Sequence, residues 1–121
     1  HFQLQTTRVR IHKQLPGQEI PLHTDDNNTA VKDKNDYMIR SITALTASKD
    51  FTYKFIDTEK KRRLQWLEQG ETIFFDPDLV AHGMSNESTT ETRYALVQIF
   101  KLYPVTAWAR DFISTEKVVT I

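Results

Sequence analysis

Residues 51–57 read Phe51-Thr52-Tyr53-Lys54-Phe55-Ile56-Asp57, an alternation that an extended strand sorts onto two faces. Phe51, Tyr53 and Phe55 fall on one face, Thr52 and Lys54 on the other. Working outward, Thr58 to Arg62 is a charged hairpin connection. Arg63 to Glu68 (RLQWLE) returns as a strand with Leu64 and Trp66 expected in the core. Upstream, Tyr37 to Ala47 (YMIRSITALTA) is a β-branched strand. Before it, Arg8 to Lys13 (RVRIHK) sets Val9 and Ile11 on one face and Arg8, Arg10 and His12 on the other. Downstream, Thr72 to Phe75 is a short buried strand ended by Asp76-Pro77-Asp78, and Arg93 to Tyr103 (RYALVQIFKLY) is the longest strand. Pro16-Gly17 and Gln69-Gly70 mark turns, Asp26 to Asp36 and Asn86 to Glu91 are polar connections, and Phe74 and Phe75 join the expected core. Val105 to Ser114, opened by Pro104, is the one helix candidate, docked by Trp108. Eight or so short strands with little helix predict an all-β sandwich or barrel. The fold class expected is a jelly roll, or double-stranded β-helix of the cupin kind, with a short C-terminal helix.

The chain has 121 residues, enough for a single core. Lys+Arg and Asp+Glu balance at 16 each, which argues against nucleic acid or an anionic membrane as partner, since both reward excess positive charge. No apolar run approaches the roughly 20 residues that cross a bilayer. Zero cysteines exclude disulfides and thiolate ligands, so any metal must be held by nitrogen and oxygen. A cytoplasmic location is the expectation compatible with this. The chain begins His1-Phe2 without an initiating methionine, and residues 1–121 are expected to be one core domain of a trimmed, processed or longer chain.

His23-Thr24-Asp25, the distant His82 and the later Arg93 carry the chemistry. On a strand, residues two apart share a face, so His23 and Asp25 can hold one metal together. Two histidines and a carboxylate on one side of a metal leave its other positions open, the arrangement of Fe(II) oxygenases. Arg93 offers a planar, permanently charged fork for a carboxylate-bearing co-substrate. Its strand face continues through Ala95, Val97 and Ile99, an aliphatic wall. Tyr53 is a candidate for the same pocket, and Arg40 and Lys101 are the fallback cations should Arg93 fail. Asp26 falls on the face opposite Asp25 and reads as a solvated loop residue. His12, sharing a face with Arg8 and Arg10, reads as a surface or supporting residue rather than a ligand.

The runs PGQEIPLHTDD, GETIFFDPDLVAHGMSN and TRYALVQIF together resemble the 2-oxoglutarate- and Fe(II)-dependent oxygenases, in a prolyl-hydroxylase-like motif arrangement from about Arg8 to Lys101. The resemblance implies a double-stranded β-helix in which His23, Asp25 and His82 bind Fe(II). It implies that Arg93 binds the distal carboxylate of 2-oxoglutarate, and that O2 is consumed with release of succinate and CO2. It also implies a hydroxylase rather than a halogenase, because halogenating members carry a small residue where this chain has Asp25. The chain departs from the pattern in placing Ala95 where many members have a hydroxyl, and in lacking the helices that usually precede the first strands. The expected partner is a small-molecule, amino-acid or peptidyl substrate.

Two other classes fit parts of the sequence. A non-catalytic, cupin-like metal or small-ligand binding module would use the same barrel without redox chemistry. An N-terminal histidine such as His1 chelates copper in polysaccharide monooxygenases, but no other motif supports that class here.

Overall fold

The computed structural model describes residues 2–25, 37–56, 59–104 and 118–120. Alternation there produces β1 (Phe2–Gln14), β2 (Glu19–His23), β3 (Tyr37–Ala44), β4 (Phe51–Ile56), β5 (Arg62–Gln65), β6 (Thr72–Phe75), β7 (Ala81–Asn86), β8 (Arg93–Pro104) and β9 (Val118–Thr120). Five strands form one sheet in the order β1-β8-β3-β6-β9, and four form the other in the order β2-β7-β4-β5. All pairings are antiparallel. The chain crosses from one sheet to the other at most connections, the winding of a jelly roll, as the sequence predicted. The expected helix at Val105 to Ser114, with Trp108, and the loop Asp26 to Asp36 lie outside the described residues.

The two sheets face each other across one apolar layer. Ile42 and Ala44 of β3, Ile73 and Phe75 of β6 and Ala95 and Val97 of β8 meet Tyr53 and Phe55 of β4 and Met84 of β7. Phe55 and Phe75 meet edge to face with centroids 5.1 Å apart, a geometry their quadrupoles favour. The expected aromatic face Phe51, Tyr53 and Phe55 is buried throughout.

Three expected core assignments are corrected. Leu64 is 73% exposed and Trp66 44%, whereas Leu67 is 2% exposed. Leu64 pairs with Lys54 across the β4–β5 ladder, while Gln65 pairs with Tyr53, so Leu64 shares the outer face with Lys54. A single position in register moves every side chain to the other face, and β5 is an edge strand whose inner side is covered little. Phe74 is only half-buried and packs toward Phe100, centroids 6.4 Å apart. Its neighbours Ile73 and Phe75 take the inner positions.

Gly83 is needed by contact, not by a turn. A Cβ built there would lie 2.7 Å from the Ile20 carbonyl oxygen and 3.1 Å from the Leu22 nitrogen. Both are backbone atoms, so β2 and β7 would have to part beside the His23–His82 pair. Gly83→Ala is expected to cost about 1–3 kcal/mol, as other overpacked interiors do. A denaturation midpoint equal to wild type would contradict this.

Candidate metal centre

His23 closes β2 and His82 sits at the second position of β7, directly opposite it in the ladder. Asp25 lies just beyond β2, fixed by its backbone N–H donating to the Pro77 carbonyl at 2.8 Å. The Asp76-Pro77-Asp78 turn is itself built locally. The Asp76 carboxylate accepts from the Asp78 and Leu79 amides at 2.9 and 3.3 Å, the usual way aspartate nucleates a turn. The same turn ends at Val80, whose carbonyl accepts from His82. One turn thus positions both the carboxylate and the distal histidine.

Hydrogen bonds fix the ring nitrogens. His23 Nδ1 lies 2.9 Å from the Pro21 carbonyl and His82 Nδ1 lies 2.8 Å from the Val80 carbonyl. A carbonyl only accepts, so both Nδ1 atoms carry a proton, and Nε2 is the nitrogen that each ring in its neutral form offers a metal. Asp25 Oδ1 is 3.2 Å from His23 Nε2 and 3.3 Å from His82 Nε2. All three ligand atoms lie within 4.8 Å of one another. Ligands bound at about 2.1 Å and at right angles on a metal stand about 3 Å apart, so this convergence of electron-rich atoms can hold a metal ion on one face. No thiolate competes, and the donor set suits Fe(II), Mn(II), Co(II) or Zn(II).

Arg40 of β3 closes the back of the cluster. Its Nη2 forms an ion pair with Asp25 Oδ2, and its Nη1 lies 3.3 Å from His82 Nε2. Arginine has no acceptor, which again makes His82 Nε2 the acceptor. Sequence reasoning named Arg40 only as a fallback for Arg93. The signal was present: Arg40 shares strand parity with the buried Ile42 and Ala44, and an arginine in a core register needs a counter-charge.

Burial lowers the pKa of His82, with the Val80 carbonyl and Asp25 pulling the other way and His23 and Arg40 adding to the lowering. Burial also lowers that of His12, aided by Arg10, Arg40 and Arg93. For the metal-free protein the sign follows directly. Below about pH 6.5 the unfolded chain takes up protons at these rings that the folded chain resists, so stability present above that pH is lost as pH falls. The urea midpoint should drop between pH 7.5 and 5.5, above the range where most carboxylates titrate. A flat or rising midpoint would refute the neutral-histidine assignment.

Arg93 and Tyr53 occupy a different part of the interior. Arg93 is 1% exposed, and its Nη1 donates to Gln14 Oε1 at 3.3 Å and to the Thr52 and Ser85 carbonyls at 3.1 and 3.2 Å. Its guanidinium carbon lies 3.9 Å from the Tyr53 ring centroid and 5.8 Å from that of Phe51. Burial lowers its pKa, and Tyr53 opposes the shift. Its Nε and Nη2 make no well-formed hydrogen bond, and Tyr53 is the side chain that bears on them. Neither Arg93 nor Tyr53 lines the cavity of about 220 Å³ that opens onto His23, Asp25 and His82. Ser85 lies three residues along β7 from His82, about 10 Å at strand rise. Ala95, Val97 and Ile99 are buried on the Arg93 face, as alternation predicted.

The polar residues that fix this second region were not singled out from sequence. Asn86 Nδ2 donates to the Gln14 carbonyl at 3.0 Å and to the Glu91 carbonyl at 2.8 Å, and Gln14 Nε2 donates to the Met84 carbonyl at 3.1 Å. These bonds tie β1, β7 and the start of β8 together around Arg93.

No protein-family model and no curated protein matches the chain. Among solved structures, a cupin domain from Bordetella pertussis Tohama I is similar at 17% identity and a TM-score of 0.47, covering 83% of this chain and 92% of that one. An RmlC-like cupin protein from Desulfovibrio desulfuricans is similar at 16% identity and a TM-score of 0.44, covering 81% and 80%. Both TM-scores lie below 0.5, and neither likeness bears on what this chain does.

Proposed function

We propose that this chain is an Fe(II)- and 2-oxoglutarate-dependent oxygenase that hydroxylates or oxidises an unactivated C–H bond, releasing succinate and CO2. The observation that carries the reading is Arg93: a fully buried guanidinium with two nitrogens that make no well-formed hydrogen bond and no carboxylate beside it among the described residues. A buried cation without a counter-charge costs several kcal/mol, and its contact with Tyr53 offsets only about 2 kcal/mol or more. A carboxylate from a bound diacid would satisfy both nitrogens at once.

In this reading His23, Asp25 and His82 hold the iron, and Arg93 with Tyr53 holds the far carboxylate of the co-substrate. Bound iron supplies the oxygen chemistry; the protein's part is to position, to exclude and to keep its groups in the right charge state. The Pro21 and Val80 carbonyls hold the histidines in the ligating tautomer. Arg40 pairs with the Asp25 carboxylate and orients it. Ile20, Ile42, Met84 and Val97 give the cavity an apolar wall that limits water around the reacting carbon. The cytoplasm, where iron and 2-oxoglutarate are both at hand, is the proposed location.

The test is anaerobic reconstitution with Fe(II) and 2-oxoglutarate followed by air, with succinate as the readout. Slow succinate release without added substrate supports the oxygenase. Tight metal binding with no succinate, and no 2-oxoglutarate binding, would leave a metal-binding module of the same fold instead.

A further inference from the structure

The cavity that opens onto the triad also gathers cations. Arg10 and His12 of β1 and Arg40 of β3 line it beside His23, Asp25 and His82. Strand parity explains the first two: Val9 and Ile11, between and beside them, face solvent at 55% and 63% exposure. Arg40 is buried, and its Nε has no partner. The carboxylates that bear on Arg40 are Asp25 and Asp78, with Arg8 and Arg10 opposing them. No described carboxylate forms an ion pair with Arg10, and the charges bearing on His12 are all positive: Arg10, Arg40 and Arg93. A dication bound by Asp25 would make this surplus larger. Positive charge focused in a low-dielectric cavity attracts an anion and is stabilised by one.

We infer that this cavity is a second anion-binding subsite, in which Arg10 and Arg40, with a His12 N–H, hold a carboxylate or phosphate group carried by the substrate. The inference rests on the oxygenase reading for the word substrate, but the anion site itself does not. Arg93, outside this cavity, serves the co-substrate, so two anionic groups are recognised at two places. A neighbouring cavity of about 270 Å³ shares His12, Ile20 and Met84 with this one. Each by itself is smaller than the roughly 300–1,000 Å³ of drug-sized pockets. The substrate class is therefore a small anionic molecule or a single acidic or phosphorylated side chain, with its reacting carbon held near the triad by that anchor.

The probe is inorganic phosphate, titrated calorimetrically at low ionic strength into the metal-free protein. The titration is then repeated with Mn(II) and saturating 2-oxoglutarate present. Wild type is expected to bind one phosphate per chain with a dissociation constant of about 1 mM in both states. Arg10→Gln, a change at an exposed position, should weaken phosphate about tenfold, the value of one charge-assisted hydrogen bond. Its 2-oxoglutarate affinity should stay within about twofold of wild type, well inside the tenfold that 1.4 kcal/mol represents. His12→Gln should weaken phosphate by less. Absence of phosphate binding in wild type, or equal binding in Arg10→Gln, would overturn the subsite. Loss of phosphate binding when 2-oxoglutarate is present would overturn it too, by giving these cations to the co-substrate. Arg10-dependent phosphate binding in a protein that releases no succinate would uphold the anion site and reject the oxygenase.

Discussion

His82→Ala is expected to lose at least on the order of 100-fold in Fe(II) affinity, since even removing a partner that only orients a ligand costs 10–100-fold. Succinate release should fall to the level of free iron. The expectation rests on three atoms within 4.8 Å of one another, two of them Nε2 atoms aimed by carbonyl hydrogen bonds. Alanine removes one donor and leaves the Val80 carbonyl without its N–H. Asp25→Ala should impair metal binding as severely, but with a second effect that His82→Ala lacks. Asp25 is the ion-pair partner of the buried Arg40, and breaking such a pair by removing one member costs about 3–5 kcal/mol. The metal-free Asp25→Ala protein should therefore denature at markedly lower urea than metal-free His82→Ala. Iron titration and urea midpoints on the two variants provide the measurement. Wild-type iron affinity and turnover in His82→Ala would remove the triad altogether.

The fold was legible because alternation is a local signal. Phe51, Tyr53 and Phe55 could be sorted to one face before any partner strand was known, and likewise Arg93, Ala95, Val97 and Ile99. What alternation does not carry is which face is inner when the partner is an edge. Leu64 and Gln65 differ by one position, and only the pairing with Lys54 and Tyr53 decides between them. The triad was legible as a pattern because His23 and Asp25 flank one residue at the end of a strand, and because a turn-forming Asp-Pro-Asp precedes His82. The contact that brings those pieces together, Asp25 N–H to the Pro77 carbonyl, joins distant parts of the chain through backbone atoms and leaves no mark on side-chain identity. Arg40 marks the other limit. Its parity with Ile42 and Ala44 placed it inside, yet its meaning depended on a counter-ion from another sheet. Asn86, in a stretch that reads as polar turn, serves as a buried clasp for the same reason: its acceptors are the carbonyls of Gln14 and Glu91.

Arg93→Ala should weaken 2-oxoglutarate binding by two to three orders of magnitude. Removing one member of a buried charged pair costs roughly 3–5 kcal/mol, and each 1.4 kcal/mol is tenfold. The structure adds a consequence that a simple anion anchor would not have. Arg93 Nη1 also donates to Gln14 Oε1 and to the Thr52 and Ser85 carbonyls. Thr52 and Ser85 already face each other in the β4–β7 ladder, so alanine orphans the buried Gln14 Oε1 in particular. A loss of folding stability of about 1–3 kcal/mol for that orphaned group is expected alongside the binding defect. Arg93→Lys separates the two effects. A lysine ammonium keeps the charge and can reach some of the carbonyls, but cannot present two parallel N–H groups to a carboxylate. It should recover much of the stability and only part of the co-substrate affinity. Mn(II) affinity should stay near wild type in both variants, because Arg93 touches none of His23, Asp25 and His82 and does not line their cavity. The measurement is the 2-oxoglutarate dissociation constant under anaerobic Mn(II), with Mn(II) binding as the check that each variant is folded. If a folded Arg93→Lys protein bound 2-oxoglutarate as tightly as wild type, the distal carboxylate would have to lie elsewhere. Arg40 would then be the cation already beside the metal ligands.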